Sequence, residues 1–485
     1  MHTTDRMATN AAYVTAAFVL QKIISYFFFL FIAHRLGELA TGEYVAAFAY
    51  STLFAFFIDL GLSQVLIREG ARYPHLASQL LTTSLRAKAV LAVVTWLVLL
   101  GSVSILGSFG IPHPRLPLVA VAGLVAIFDS FALSGYSYFR ARQELSYEAI
   151  ALVLQKIGVL LAGVATLLVM PTPLALGIAI LVGGFIGYGW LSVALLRHVD
   201  TAAYVRDLES ARLLKASFLP FAIAGFFSTA YAQLDSVLLS ALVGNAAVGL
   251  YSVAAKTMNA FGFIPAAFVA ALYPTLSAVF LSNKSLFVSI TQVAIRYLLL
   301  VSLPIATGLF VLADAFVLRL GPGYAPAATA VRILLPSLPF MFLTFPFGAL
   351  LNAANQARKQ TTILGLGLGF NLAMNMYLIP AFGFIGASVA WSIANVVMFI
   401  LSIVYSRKMI SLPWGSLSLS LARLCTAAAI MGFSVWLLGL YGAPLSMQIS
   451  IGVLVYGAVV LLSREVSMGE IRRVSGYLRR PVVEA

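Results

Sequence analysis

Six ionisable side chains lie inside apolar stretches long enough to cross a bilayer: Lys22, Asp59, Asp129, Lys156, Asp235 and Lys256. A charged group at the centre of a membrane costs at least about 2.5–3.5 kcal/mol on insertion scales, so each needs a partner or a function. The ammonium groups are suited to holding an anion. The carboxylates are suited to pairing with a lysine or to exchanging a coupled cation. Their spacing suggests pairing. Lys22 precedes the turn at Gly37 and Asp59 follows it, Asp129 and Lys156 flank the turn before Glu148, and Asp235 and Lys256 flank the turn at Gly244. At about 1.5 Å of helix rise per residue, acid and base in each hairpin differ in depth by roughly 3 Å. Two readings stand: three structural ion pairs, or a water-filled cavity in which some of these groups bind a charged substrate. Lys22 and Lys256 are the strongest candidate anion ligands, with Lys156 a third that could instead reach the nearer membrane surface. Asp59, Asp129 and Asp235 are the coupling or ion-pair acids.

Other chemistry is poorly supplied. The histidines, His2, His34, His75, His113 and His198, fall in tails, turns or span ends without metal-ligand spacing. No phosphate-binding glycine loop of the nucleotidase type occurs. No connecting loop is long enough to fold as a catalytic domain. The sequence therefore predicts neither an enzyme nor a bound cofactor or metal. Cys425 is the single cysteine and reads as a small packing residue. Asn371 and Asn375, one helical turn apart, read as hydrogen-bonding glue between helices. Pro220, Pro265, Pro304, Pro336, Pro339 and Pro346 mark interruptions or kinks.

The elements that carry these groups are membrane helices. The chain is 61% hydrophobic and only 9% charged, against about a quarter charged in soluble proteins. The apolar runs are long and lack strand-like alternation, which favours helices over a barrel. Spans are predicted near 11–33, 44–67, 87–108, 116–138, 149–170, 173–196, 216–242, 248–275, 290–313, 328–352, 361–380, 384–405, 418–440 and 446–463. With the N-terminus inside, 23 of the 30 basic residues fall on the inner face, which sets the orientation. Only Arg35, Arg115, Arg319 and Arg332 fall outside. The net charge of +14 thus marks topology and contact with anionic lipid, with no nucleic-acid partner. A cleavable signal peptide is not evident, and both termini are expected in the cytoplasm.

The chain also repeats itself. Gly37, Gly42 and Tyr44 recur 207 residues later as Gly244, Gly249 and Tyr251, six spans on. An even offset gives two halves of the same orientation, an arrangement common in transporters with a site between halves. The expected fold is all-α and polytopic. Residues 1–200 and 201–410 form two parallel-related six-helix lobes, and 411–485 form a last helix pair with a basic tail.

Three segments resemble a known family: Leu30–Glu69 (LFIAHRLGELATGEYVAAFAYSTLFAFFIDLGLSQVLIRE), Gln233–Ser277, and Asn371–Ala390 (NLAMNMYLIPAFGFIGASVA). They are similar to bacterial polysaccharide-unit flippases of the O-antigen type, within the multidrug/oligosaccharidyl-lipid/polysaccharide exporter superfamily. The resemblance runs from about residue 10 to about residue 410. It implies two lobes around a cavity that opens alternately to each side of a bacterial cytoplasmic (inner) membrane. It implies a polyprenyl-pyrophosphate-linked oligosaccharide as substrate, and the polysaccharide polymerase and ligase machinery as partners beside membrane lipids. A cation-coupled multidrug extruder and a lipid II flippase are the alternatives within the superfamily. In many drug extruders of the superfamily the first span carries an acid. Here it carries Lys22 and no acid, which favours an anionic substrate.

Overall fold

The computed structural model describes residues 3–199, 208–407 and 409–465. Arg206, Lys408 and the tail arginines Arg472, Arg473, Arg479 and Arg480 lie outside the described residues. Among the described residues every regular element is helical. Among the described residues twelve helices are long and apolar enough to cross a membrane. Two of these, α1 (Thr3–Asp59) and α14 (Ala357–Ser406), each contain a glycine that is not helical. Gly37 has φ 75° and ψ 176°, and Gly383 has φ 56° and ψ −133°. Both values lie in regions that only glycine enters without strain. Each glycine divides a long helix in two, so the described residues hold fourteen candidate spans, as the sequence predicts.

The lipid-facing character is visible in side chains. On α3 (Ala77–Ser108), Val90, Val93, Val94, Leu97 and Val98 are each more than half exposed. Such a stripe in water would drive aggregation, whereas in lipid it needs no cover.

One compact unit comprises Met1–Phe263, Leu320–Ala330 and Thr361–Ala394. Within it, α1 packs against α4 (Leu116–Ala141), α5 (Leu145–Val169), α7 (Leu208–Leu242) and α8 (Asn245–Ala260), and α5 packs against α6 (Pro173–His198). Glycines let α5 and α6 approach closely: a Cβ on Gly158 would lie 2.2 Å from the Gly183 carbonyl oxygen. Helix starts follow their sequence signals. Thr172 caps α6 by accepting from the Ala175 amide at 3.3 Å, with Pro173 in the first turn.

The internal repeat has a structural counterpart here. Gly244, at φ 111° and ψ 173°, reproduces the extended, positive-φ turn of Gly37. A Cβ on Gly42 would lie 1.7 Å from the Asn245 carbonyl oxygen, and one on Gly249 would lie 1.9 Å from that of Glu38. Glu38 and Asn245 are themselves 207 residues apart. The two turns therefore touch reciprocally, as a twofold-related pair does.

The other unit comprises Ile264–Arg319, Val331–Gln360 and Asn395–Ala485. In it, α10 (Lys284–Val311) packs against α13 (Leu338–Ala353) and α15 (Trp414–Leu440), and α15 against α16 (Leu445–Leu462). Buried Glu465 accepts from Arg296 Nε at 2.8 Å and from Ser420 Oγ at 2.5 Å, and pairs with Arg423 at 3.5 Å. It ties the end of the last helix pair to α10 and α15.

Several expectations need correction. The connection left between the predicted spans 44–67 and 87–108 is largely helical: α2 (Leu62–Arg72) is a short amphipathic helix, and α3 begins at Ala77. Lys88, one of the basic residues counted to the inner face although it opens the predicted span 87–108, is fully buried within α3. The predicted span 248–275 is broken at Phe261–Gly262, before α9 (Phe263–Ser282). As expected, Pro336 interrupts the predicted span 328–352, at a 3-10 turn joining α12 (Ala327–Leu334) to α13, and Pro339 lies in the first turn of α13. Cys425 is exposed, not packed.

Candidate functional site

The three intramembrane lysines come from three helices of one unit. Lys22 is on α1, which packs against both α5, carrying Lys156, and α8, carrying Lys256. Their ammonium groups lie within electrostatic reach of one another. Lys22 and Lys256 are exposed and Lys156 is half-buried. Among the described residues none of the three has an ion-pair or hydrogen-bond partner. Exposure at span depth leaves two possible surroundings, lipid or water. Three uncompensated cations are costly in lipid, which favours a face bordered by water. Such a patch has the chemistry to receive an anion, and a compact dianion suits it best, because several like charges then share one counter-charge.

Hydroxyl groups border the lysines. Tyr26, one turn along α1 from Lys22, hydrogen-bonds Thr257 on α8 at 3.1 Å. Thr257 follows Lys256 in sequence and donates back to the Val253 carbonyl at 2.7 Å. This link fixes the spacing of α1 and α8 beside the two lysines.

None of the three predicted acid–base pairs forms, because each acid is engaged elsewhere. Asp59 pairs with Lys88, not Lys22, at 2.6 Å. It also accepts from Ser63 Oγ at 2.5 Å and from the Gly61 amide at 3.2 Å. Lys88 donates further to Ser63 Oγ at 3.0 Å and to the Ser130 carbonyl at 2.7 Å, so a fully buried cation is completely satisfied. This cluster holds the reversal at Leu60 and Gly61, both at positive φ, between α1 and α2. Asp129 does not meet Lys156. It accepts from Tyr188 at 2.6 Å and from Gln155 at 2.8 Å. Asp235 does not meet Lys256. It is 3% exposed and accepts from Tyr251 and Asn375, each at 2.6 Å. Asn375 also donates to Asn371 at 3.0 Å, so the asparagine pair is the interhelical glue expected.

Lys88, Tyr188, Gln155 and Tyr26 were not singled out from sequence, and Tyr251 was noted only as part of the repeated turn. One signal was available for Lys88. Ser84 and Lys88 are four residues apart and share the buried face of α3, whereas neighbouring Arg86 lies on another. A helical period through SLRAKAVL would have placed Lys88 inside.

Sequence and fold comparisons agree with one another. The description "polysaccharide biosynthesis protein" matches residues 7–280, and MatE matches residues 220–377. An uncharacterized membrane protein of Methanocaldococcus jannaschii is 32% identical over 183 residues, 36% of each chain. The probable flippase AglR of Haloferax volcanii is 27% identical over 241 residues, 48% of this chain and 50% of that protein. The chain thus matches about a third to a half of the length of these relatives. Among solved structures, an inward-facing multidrug resistance MATE family transporter of the MOP superfamily has a TM-score of 0.66 at 16% identity, covering 80% of this chain and 94% of its own. The lipid II flippase MurJ, in an inward closed conformation, has a TM-score of 0.64 at 14% identity, covering 93% and 99%. These likenesses establish a shared fold.

Proposed function

Because the chain belongs to the polysaccharide biosynthesis protein family, and so is a multi-pass flippase or transporter of the multidrug/oligosaccharidyl-lipid/polysaccharide exporter superfamily, we propose that it moves a polyprenyl-pyrophosphate-linked oligosaccharide from the cytoplasmic to the outer leaflet by alternating access. The observation that carries this reading is the trio Lys22, Lys156 and Lys256, exposed at span depth and without counter-charge. A diphosphate and its sugars cannot cross about 30 Å of hydrocarbon unaided. The lysines would receive the diphosphate while the polyprenyl tail stays in lipid. An inside-negative potential favours outward passage of the anion by about 2.3 kcal/mol per charge per 100 mV.

In this reading the reciprocal glycine turns are the axis of two six-helix lobes, residues 1–200 and 201–410, with 411–485 as an appended helix pair and tail. Both termini face the cytoplasm, since the basic residues gather on that side. Interactions inside the structure fit that sidedness. Arg115 pairs with Glu43 at 3.3 Å, both assigned outside, and Arg140 pairs with Glu148 at 2.5 Å, both assigned inside. The multidrug-extruder reading draws on the MatE match over residues 220–377. The three lysines disfavour it, because a cationic drug would meet like charge.

The test is transport of a fluorescent polyprenyl-diphosphate-linked sugar in vesicles containing the purified chain. Wild type should move the lipid between leaflets, and Lys22→Ala with Lys256→Ala should abolish movement at normal expression. Wild-type transport in that double variant would reject the site. Transport of cationic dyes but not of the lipid would favour the extruder.

A further inference from the structure

The stretch Leu320–Ala330 packs with the first unit, although the chain enters it from Arg319 and leaves it at Val331, both in the other unit. Its base is tied. Arg332 of α12 donates to Asp314 of α11 (Ala313–Val317) through both terminal nitrogens, from Nη1 at 3.2 Å. From that base runs a strap with a 3-10 turn at Pro322–Tyr324, entered through Gly321 at φ 135°. Pro322, Gly323, Ala325 and Pro326 are exposed, whereas Tyr324 between them is 1% exposed. The strap lies against the first glycine turn of α1. A Cβ on Gly323 would lie 2.2 Å from Glu38 Oε2. The Tyr324 hydroxyl is within electrostatic reach of the Glu38 carboxylate and beside Thr41, which is fully buried. Glu38 thus touches the strap with its carboxylate and Gly249 with its carbonyl.

We propose that residues 320–324 are a latch on the seam between the two reciprocal turns, 37–44 and 244–251: the turns stay together while Tyr324 is seated beside Glu38 and Thr41, and part when it lifts. In the orientation proposed above Arg35, Arg319 and Arg332 face outward, so the latch closes the outer side. It rests on the alternating-access reading, in which that side opens once in each cycle. The seam is backbone against backbone, so it cannot loosen by side-chain rotation and separates as a whole. A contact of that kind is governed by whatever holds its two sides from without, and the strap is placed on one of those sides.

The strap is built to release. Between Gly321 and Pro326 one buried ring anchors it, and the residues beside that ring are already in solvent. The hydroxyls of Thr41 and Tyr324 are buried, and neither closes a well-formed hydrogen bond among the described residues. A buried hydroxyl left unsatisfied is costly, and water removes that cost when Tyr324 lifts. Burial also pushes the Tyr324 hydroxyl up to about 12, which keeps it protonated beside the Glu38 carboxylate. Gly321 supplies the hinge: a Cβ there would meet nothing within 4 Å, so the chain has room to swing. The Arg332–Asp314 pair holds the base while the turn moves.

The experiment uses the full chain in lipid, with amide hydrogen exchange read over both turns. Tyr324→Ala should speed exchange about tenfold or more at 37–44 and also at 244–251. The second turn is diagnostic, because a ring that merely covered Thr41 would expose the first turn alone. Tyr324→Phe keeps the anchoring ring and should exchange close to wild type. The converse is a lock. Glu38→Cys with Gly323→Cys, in a Cys425→Ser background and joined by a short, reducible bifunctional thiol reagent, should slow exchange at 244–251. The joined protein should also stop transferring a polyprenyl-diphosphate-linked sugar, and reduction should restore transfer. Unchanged exchange at 244–251 in folded Tyr324→Ala overturns the latch, as does transfer at the unjoined rate in the joined protein. If Tyr324→Ala does not fold, the joined pair carries the test. If wild type moves no such lipid while Tyr324→Ala and the lock shift exchange in opposite senses, the transport reading fails and the latch stands.

Discussion

Lys88 and the trio Lys22, Lys156 and Lys256 are intramembrane lysines in the same compact unit, yet they are treated oppositely. Lys88 is wholly buried, 2.6 Å from Asp59, and its remaining donors meet Ser63 and the Ser130 carbonyl. The other three have no partner among the described residues, and two of them are exposed. A buried cation survives in lipid only when every donor is satisfied, which ties Lys88 to the turn between α1 and α2. A cation that borders water can remain unpaired and is therefore free to meet a ligand. The internal repeat divides the same way. The reciprocal glycine turns obey the offset of 207 residues, whereas the residue 207 positions after Lys22 is Thr229 and that 207 before Lys256 is Ala49. The scaffold keeps the symmetry and the charges break it.

The sharpest way to break this contrast is Lys88→Met. It strands Asp59 beside a buried wall and should cost about 3–5 kcal/mol of stability, read as a lowered midpoint of thermal unfolding in detergent. Combining it with Asp59→Asn should restore much of the loss. A Lys88→Met protein as stable as wild type would remove the distinction between the two kinds of lysine. Next in size, Gly42→Ala and Gly249→Ala should each destabilise by about 1–3 kcal/mol, because the new methyl meets backbone that cannot step aside. Since both strain one seam, the double variant should lose less than the sum.

Lys22→Ala and Lys256→Ala should behave in the reverse sense. Each should weaken binding of a diphosphate lipid by about 1.5–3 kcal/mol, roughly ten- to a hundredfold. Neither should lower the unfolding midpoint, because each removal relieves repulsion within the trio. A lowered midpoint with unchanged binding would move these lysines into the scaffold class. The smallest effect belongs to Tyr26→Phe, which removes the hydrogen bond to Thr257 and should cost about 0.5–1.5 kcal/mol. A binding loss as large as that of Lys22→Ala would make the hydroxyl a ligand in its own right.

What was legible in the sequence was whatever a one-dimensional pattern encodes. Span length and continuous apolarity determined fourteen helices, because hydrocarbon forces each crossing to satisfy its own backbone. The recurrence of Gly37, Gly42 and Tyr44 at Gly244, Gly249 and Tyr251 identified the repeated turn, because glycine is needed both for positive φ and for close approach. The six intramembrane charges were conspicuous for their cost alone. Their partners were not legible. Matched depth in a hairpin fixes how far a residue lies along the membrane normal but not the direction in which its side chain points around the helix. Lys88 reached Asp59 from a third helix, Tyr188 and Gln155 enclosed Asp129, and Tyr251 and Asn375 took Asp235. Only the tertiary structure decided which lysines remained uncompensated, because helix rotation and neighbour choice are set by packing across many residues distant in sequence.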